Sequence, residues 1–225
     1  MDFSQRLEHI HALLKKTWST DEWWPNEAGP FETCLGAILT QNTSWLNAEK
    51  ALCSMKKEGL VSIEKVREIP INELATIIRS SGYYNAKAKK IKSFVDYVYA
   101  NYNGIICDLL KQPITKLRNA LLEIYGIGNE TADDIILFAS NKPSFVVDAY
   151  TLRIFSRIGI LQKNVDYSTA QQFFHKNLDN NTLLFQEYHA LVVILAQNNC
   201  HKSLPECITC PIQNECEWGR KEVIY

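Results

Sequence analysis

The stretch from Cys200 to Cys216, CHKSLPECITCPIQNEC, holds four of the chain's seven cysteines. Cys200, Cys207, Cys210 and Cys216 follow the spacing C-x6-C-x2-C-x5-C. Where disulfides are rare, thiols gathered so closely point to a metal, and an odd total rules out complete pairing. Zinc ribbons usually supply two short Cys pairs, and here only Cys207 and Cys210 form one. A cubane iron–sulfur cluster needs one thiolate for each iron, which this set can provide. The spacing differs from the ferredoxin run, so a redox carrier is not indicated. Spacing alone leaves zinc and a cluster both open.

Two other places carry chemistry. In FVVDAYTLRIF, Asp148 stands just before a helical stretch. Its plainest role is an N-cap. The helix dipole favours negative charge at that end, and a fixed carboxylate suits a reaction with a cationic transition state. The two roles are compatible. In LLEIYGIGNETADDIILFA, Gly126, Ile127 and Gly128 join two helical stretches, and Asn129 can cap the second. Glycines there allow close backbone approach, and amides opening a helix suit a phosphate oxygen. By itself such a turn is also a common connection.

The elements that must position these residues are helical almost throughout. Phe3, Leu7, Ile10 and Leu14 share one stripe, Pro30 can open a helix, and Ser44 or Thr43 can cap the next with Gly59 as its stop. About ten helices with short connections follow in sequence, and only SFVV before Asp148 reads as extended, so the expected class is all-α. Hydrophobic residues make up 46% and charged residues 22% of the 225, which describes a folded globular chain. The N-terminus reads as an amphipathic helix and not as a signal peptide. The longest apolar run, Ala190 to Ala196, is too short to cross a bilayer. A soluble, cytoplasmic protein without a membrane partner is the expectation. The net charge of −1 does not announce a nucleic-acid binder, so any such role depends on where the charges lie.

Taken in order, the Gly-Ile-Gly hairpin, an aspartate eighteen residues after Glu130, and the cysteine spacing resemble the endonuclease III superfamily of DNA glycosylases, the helix–hairpin–helix group. LGAILTQNTSW and SGYYNAKAKKI are similar to that family's other signature stretches, and the resemblance spans about residues 20 to 216. It implies an all-α, two-lobed fold. One lobe is a six-helix barrel with the helix–hairpin–helix, about 28–142. The other is discontinuous, 1–27 with 143–225, and ends in an iron–sulfur cluster loop, 200–216. The resemblance implies a [4Fe–4S] cluster, largely structural, on Cys200, Cys207, Cys210 and Cys216. It makes Asp148 the catalytic carboxylate, and Gly126, Ile127, Gly128 and Asn129 the phosphate-facing hairpin. Gln41 and Tyr83 match positions that fill the hole of an extruded nucleotide and wedge the opposite strand. The implied partner is double-stranded DNA containing a damaged base, bound by a monomer. Cys34, Cys53 and Cys107 are expected to be buried packing residues.

The sequence departs from endonuclease III in two respects. Bifunctional members carry a lysine at the position held here by Glu130, within GIGNETA. An amine can attack the sugar and form a Schiff base, whereas a carboxylate cannot. A monofunctional glycosylase using water is therefore expected, with Asp148 stabilising an oxocarbenium-like sugar. Secondly, Trp23, Trp24 and Trp45 surround the segment that lines the base pocket in this superfamily, which resembles the 3-methyladenine glycosylase branch. An N-alkylated purine nucleotide is cationic and gains over an indole face. Core filling is the ordinary alternative for three tryptophans. The rival functions are a bifunctional pyrimidine-lesion glycosylase/lyase and a non-catalytic lesion-binding protein. Lys87, Lys89, Lys90 and Lys92 form the one dense basic run and are read either as phosphate contacts or as a solvated helix face. The HKSLPE loop is less basic than a DNA-contacting loop would be.

Overall fold

The computed structural model describes residues 1–21 and 29–222. Trp23 and Trp24 lie outside the described residues. Among the described residues there are thirteen α-helices and no strand. They are α1 (Phe3–Thr17), α2 (Pro30–Leu39), α3 (Trp45–Lys57), α4 (Ile63–Glu68), α5 (Ile71–Ile77), α6 (Tyr84–Tyr102), α7 (Ile106–Leu110), α8 (Ile114–Leu122), α9 (Asn129–Asp134), α10 (Ala149–Ile158), α11 (Tyr167–Asn177), α12 (Thr182–Asn198) and α13 (Glu217–Glu222). The chain divides into two compact units, Asn26–Lys142 and Met1–Pro25 with Pro143–Tyr225. Two helices, α7 and α13, were not legible in the sequence. They are five and six residues long.

In the unit Asn26–Lys142, α2 is the central helix. Pro30 opens it, and every residue from Phe31 to Leu39 is buried. A helix buried on every side has to be enclosed by others. It packs on α3, on α6 and on the continuation of α9. Phe31 stacks at 6.4 Å on Phe94 of α6. The one carboxylate on α2, Glu32, meets Lys56 of α3 at 2.5 Å. Past Asp134 the α9 helix widens into a π turn over Ile135–Ala139, closed by the Ser140 N–H on the Ile135 carbonyl at 3.0 Å.

The other unit is built on aromatic packing. Phe145 stacks on Phe174 at 4.0 Å and meets Phe185 edge-on at 5.3 Å. The buried Tyr188 donates its hydroxyl to the Leu7 carbonyl at 2.9 Å, tying α12 to α1. Asp2 and Gln5 close α1 with a capping box. The segment before Asp148 belongs to no helix or strand, and the polar backbone of Phe145 within it is satisfied by side chains of α11. His175 Nε2 accepts from the Phe145 N–H at 3.1 Å, and Gln171 Nε2 donates to the Phe145 carbonyl at 2.9 Å.

Candidate functional site

Asp148 is set at the end of that segment, behind the buried residues Phe145, Val146 and Val147. It is the N-cap of α10, and its Oδ1 accepts the Thr151 N–H at 2.7 Å. The residue is only 9% exposed, so the helix start fixes a largely buried carboxylate through one of its oxygens. His189 of α12 is the residue that sequence reasoning missed. Burial pushes its imidazole pKa down, the nearby Asp148 carboxylate pulls it up, and its ring N–H donates to the Val146 carbonyl. The imidazole therefore holds the chain two residues before Asp148. The available signal was a histidine in the otherwise apolar YHALVV stretch.

In the unit Asn26–Lys142 the hairpin connects α8 to α9. Gly126 has φ +83°, which favours glycine, and a Cβ there would collide with the Lys90 side chain. Ile127 is buried and anchors the turn. Gly128, not Asn129, is the N-cap of α9, and no side chain caps the helix. The expected Asn129 cap is thus corrected, because its Oδ1 accepts from Arg118 Nη2 at 3.0 Å instead. Arg118 also grips the fully buried Asp133 with Nε and Nη2, both at 3.0 Å. This bidentate pair locks α8 against α9. Arg118→Ala removes both bonds from a buried carboxylate and is expected to cost about 3 kcal/mol in urea unfolding. Glu130 lies exposed in the first turn of α9.

Gln41 is tied directly to the hairpin. Its Nε2 donates to the Gly126 carbonyl at 3.0 Å and to Thr131 Oγ1 at 2.9 Å. Tyr83 is 73% exposed on a left-handed residue, φ +45°, at the start of α6. Trp45 opens α3 and packs half-buried against the core of its unit. Ser44 stands at the cap position of α3 but makes no side-chain capping bond.

Three lysines of the basic run fit neither reading given to them. Lys87 donates to the Leu39 and Ser81 carbonyls at 2.7 and 2.6 Å, and Lys90 to Gln41 Oε1 at 2.5 Å. Lys92 donates to the Arg67 and Ile69 carbonyls at the end of α4. Only Lys89 of the four is exposed. Carbonyls at helix ends are acceptors that a lysine stem can reach from a neighbouring helix. Cys53 and Cys107 are exposed and Cys34 is buried, so the expectation of buried packing holds for Cys34 alone. The buried stripe of α3 is Ala48, Ala51, Leu52 and Met55, and Cys53 lies off it.

Cys200, Cys207, Cys210 and Cys216 line one cavity, whose remaining walls include Ile154, Ile158, Leu195 and Ile212. Burial, joined by the charges of the other three thiols nearby, pushes the Cys210 thiol up to about 11. Among the described residues no three His, Cys, Asp or Glu side chains close together as ligands of a single metal ion do. Arginines fasten the loop. Arg157 Nη1 donates to Cys200 Sγ at 3.1 Å and to the His201 carbonyl at 2.7 Å. Arg153 holds the Cys200 carbonyl at 2.9 Å, and Arg6 the Glu215 carbonyl at 3.0 Å. The Gly219 N–H points at Cys216 Sγ at 3.4 Å.

Residues 35–180 match the model of the HhH-GPD superfamily base excision DNA repair proteins. The chain is 40% identical over 214 residues to the protein MJ1434 of Methanocaldococcus jannaschii, named as a candidate DNA repair glycosylase. That alignment covers 94% of this chain and 96% of the other. The Helicobacter pylori 3-methyladenine DNA glycosylase MagIII, solved with 1,N6-ethenoadenine, superposes with a TM-score of 0.72 at 28% identity, over 85% of this chain and 97% of that one. An endonuclease III–DNA complex superposes over the full length of both chains, with a TM-score of 0.82 at 21% identity. The chain belongs to the HhH-GPD superfamily. Its class is that of the base excision repair DNA glycosylases.

Proposed function

We propose that the chain is a monofunctional glycosylase that releases an alkylated purine, such as 3-methyladenine, from double-stranded DNA. Glu130 carries this reading: at the position where a bifunctional enzyme would need an amine there is a carboxylate, exposed at the start of α9. Lys142 lies nearby in sequence, but its position does not match that of the lysine in the motif. The substrate class is supported by the similarity to MagIII and by Trp45 at the family's base-pocket segment. Stacking on an indole compensates a base for leaving the duplex, and more so a cation.

In the proposed reaction the C1′–N bond breaks and the sugar becomes oxocarbenium-like. An alkylated base that was cationic in the nucleotide departs neutral and needs no acid. The Asp148 carboxylate faces the developing charge, and water bonds to C1′ with its proton passing to that carboxylate. Gly126, Ile127, Gly128 and Asn129 present the uncapped start of α9 to a backbone phosphate. Gln41 and Tyr83 enter the duplex. Cys200, Cys207, Cys210 and Cys216, which line one cavity, would hold a [4Fe–4S] cluster with one thiolate for each iron. That cluster would cross-link the C-terminal loop. The chain acts as a monomer.

The test is single-turnover base release from duplexes carrying 3-methyladenine, 7-methylguanine, hypoxanthine, uracil or thymine glycol, with and without borohydride. The expected result is release of methylated purines, an intact abasic strand and no covalent trapping. Release of thymine glycol alone with efficient trapping would establish the bifunctional reading instead.

A further inference from the structure

Two lysines of α6 do something that neither DNA contact nor solvation describes. Lys87 is 2% exposed, and among the described residues its polar contacts are two main-chain carbonyls. One is Leu39, the last residue of α2 and two residues before Gln41. The other is Ser81, two residues before Tyr83. A buried ammonium is costly, and an apolar side chain of the same length would fill the space without that cost. What the ammonium adds is a bond between two turns. Both turns then pass through left-handed residues, Asn42 at φ +52° and Tyr83 at φ +45°. Such backbone persists only where its surroundings enforce it.

Lys90 lies three residues further along, on the same side of α6. Its stem crosses Gly126 where any Cβ would block it, and its Nζ reaches Gln41 Oε1. The Gln41 amide then has both donors and its acceptor engaged, with Gly126, Thr131 and Lys90. The two cations are also close enough for Lys90 to depress the Lys87 pKa beyond the larger effect of burial.

We propose that Lys87 and Lys90 are positioning residues for base extrusion: they form a clamp that presents Gln41 and Tyr83 to the duplex in a fixed arrangement. The clamp rests on the reading that Gln41 and Tyr83 enter DNA. Lys87 sets the main chain of both turns, and Lys90 sets the orientation of the Gln41 amide. Gly126 is glycine partly because the Lys90 stem occupies the place of its Cβ.

The test avoids any assumption about the lesion. It measures the affinity for a duplex bearing a tetrahydrofuran abasic-site analogue, divided by that for the same duplex undamaged. The analogue leaves the hole that Gln41 fills. Gln41→Ala is expected to lower this ratio about tenfold, and Lys90→Met, which keeps the stem, by a similar factor. The Gln41→Ala/Lys90→Met double variant should be no worse than either single one, because both remove the same device. Lys87→Met should lower the ratio as well, and the half-buried Lys90 keeps the test decisive if Lys87→Met does not fold. Affinity for undamaged DNA should hold within about twofold, since neither ammonium is spent on a phosphate. If the Gln41→Ala and Lys90→Met losses multiply in the double variant, the clamp is overturned and the Gln41 reading stands. If Lys90→Met weakens both duplexes equally, Lys90 is a phosphate contact and the clamp is overturned. If Gln41→Ala leaves the ratio unchanged, the insertion reading and the clamp fall together.

Discussion

Asp148→Asn is expected to slow base release by roughly 10²-fold or more, the scale of losing an electrostatic stabiliser of a charged transition state. The substitution isolates charge from structure. Asparagine caps helices as well as aspartate, so its side-chain oxygen can still accept the Thr151 N–H that Asp148 Oδ1 now takes at 2.7 Å. Stability and affinity for lesion DNA should therefore change little, since phosphate contacts supply most of the affinity. His189 provides a second readout. The Asp148 carboxylate raises its pKa against the larger lowering by burial. Without that charge the imidazole should titrate at still lower pH, followed by NMR of the ring protons. An Asp148→Asn protein that releases bases at the wild-type rate would remove Asp148 from the catalytic role. One that loses activity together with its fold would instead identify the cap as the important contact.

The sequence made some of this architecture legible and concealed the rest for physical reasons. Local signals survived: Pro30 opens α2, and Asp148 caps α10. What failed needed tertiary knowledge. Asn129 looks like a cap because capping is local, yet Arg118, eleven residues away, takes its oxygen. The lysines at 87, 90 and 92 look like a basic face because a helix period cannot tell which neighbours offer carbonyls. The partnership of His189 with the Asp148 region joins two helices with α11 between them in sequence, and no spacing rule reaches that far. Cysteine spacing gave four thiols near one another, but not the arginines that fasten their loop.

Those arginines lead to the second large effect. Protein purified anaerobically should be brown from thiolate-bound iron, with sulfide present. Cys210→Ser should abolish the colour and release the C-terminal segment, because metal binding and local folding are one equilibrium, on the order of 10 kcal/mol for structural metal sites. Proteolysis should then cut within 200–222, where wild type resists. The damage should also reach the reaction. Arg157 stands in the last turn of α10, bonded to Cys200 Sγ and to the carbonyls of His201 and Lys202. Arg153, one turn earlier, holds the Cys200 carbonyl. The ten-residue α10 begins at the Asp148 cap, about 15 Å away along the helix. When the loop lets go, both arginines lose their acceptors and α10 loses the partner of its C-terminal half, so the helix frays toward Asp148. Base release by Cys210→Ser should fall severalfold or more, with the losses in activity and protease resistance rising together across Cys200, Cys207, Cys210 and Cys216 variants. Stoichiometric zinc without iron would replace the cluster with a single-ion site. A Cys210→Ser protein as active and as protease-resistant as wild type would show that the arginine bonds alone hold the loop.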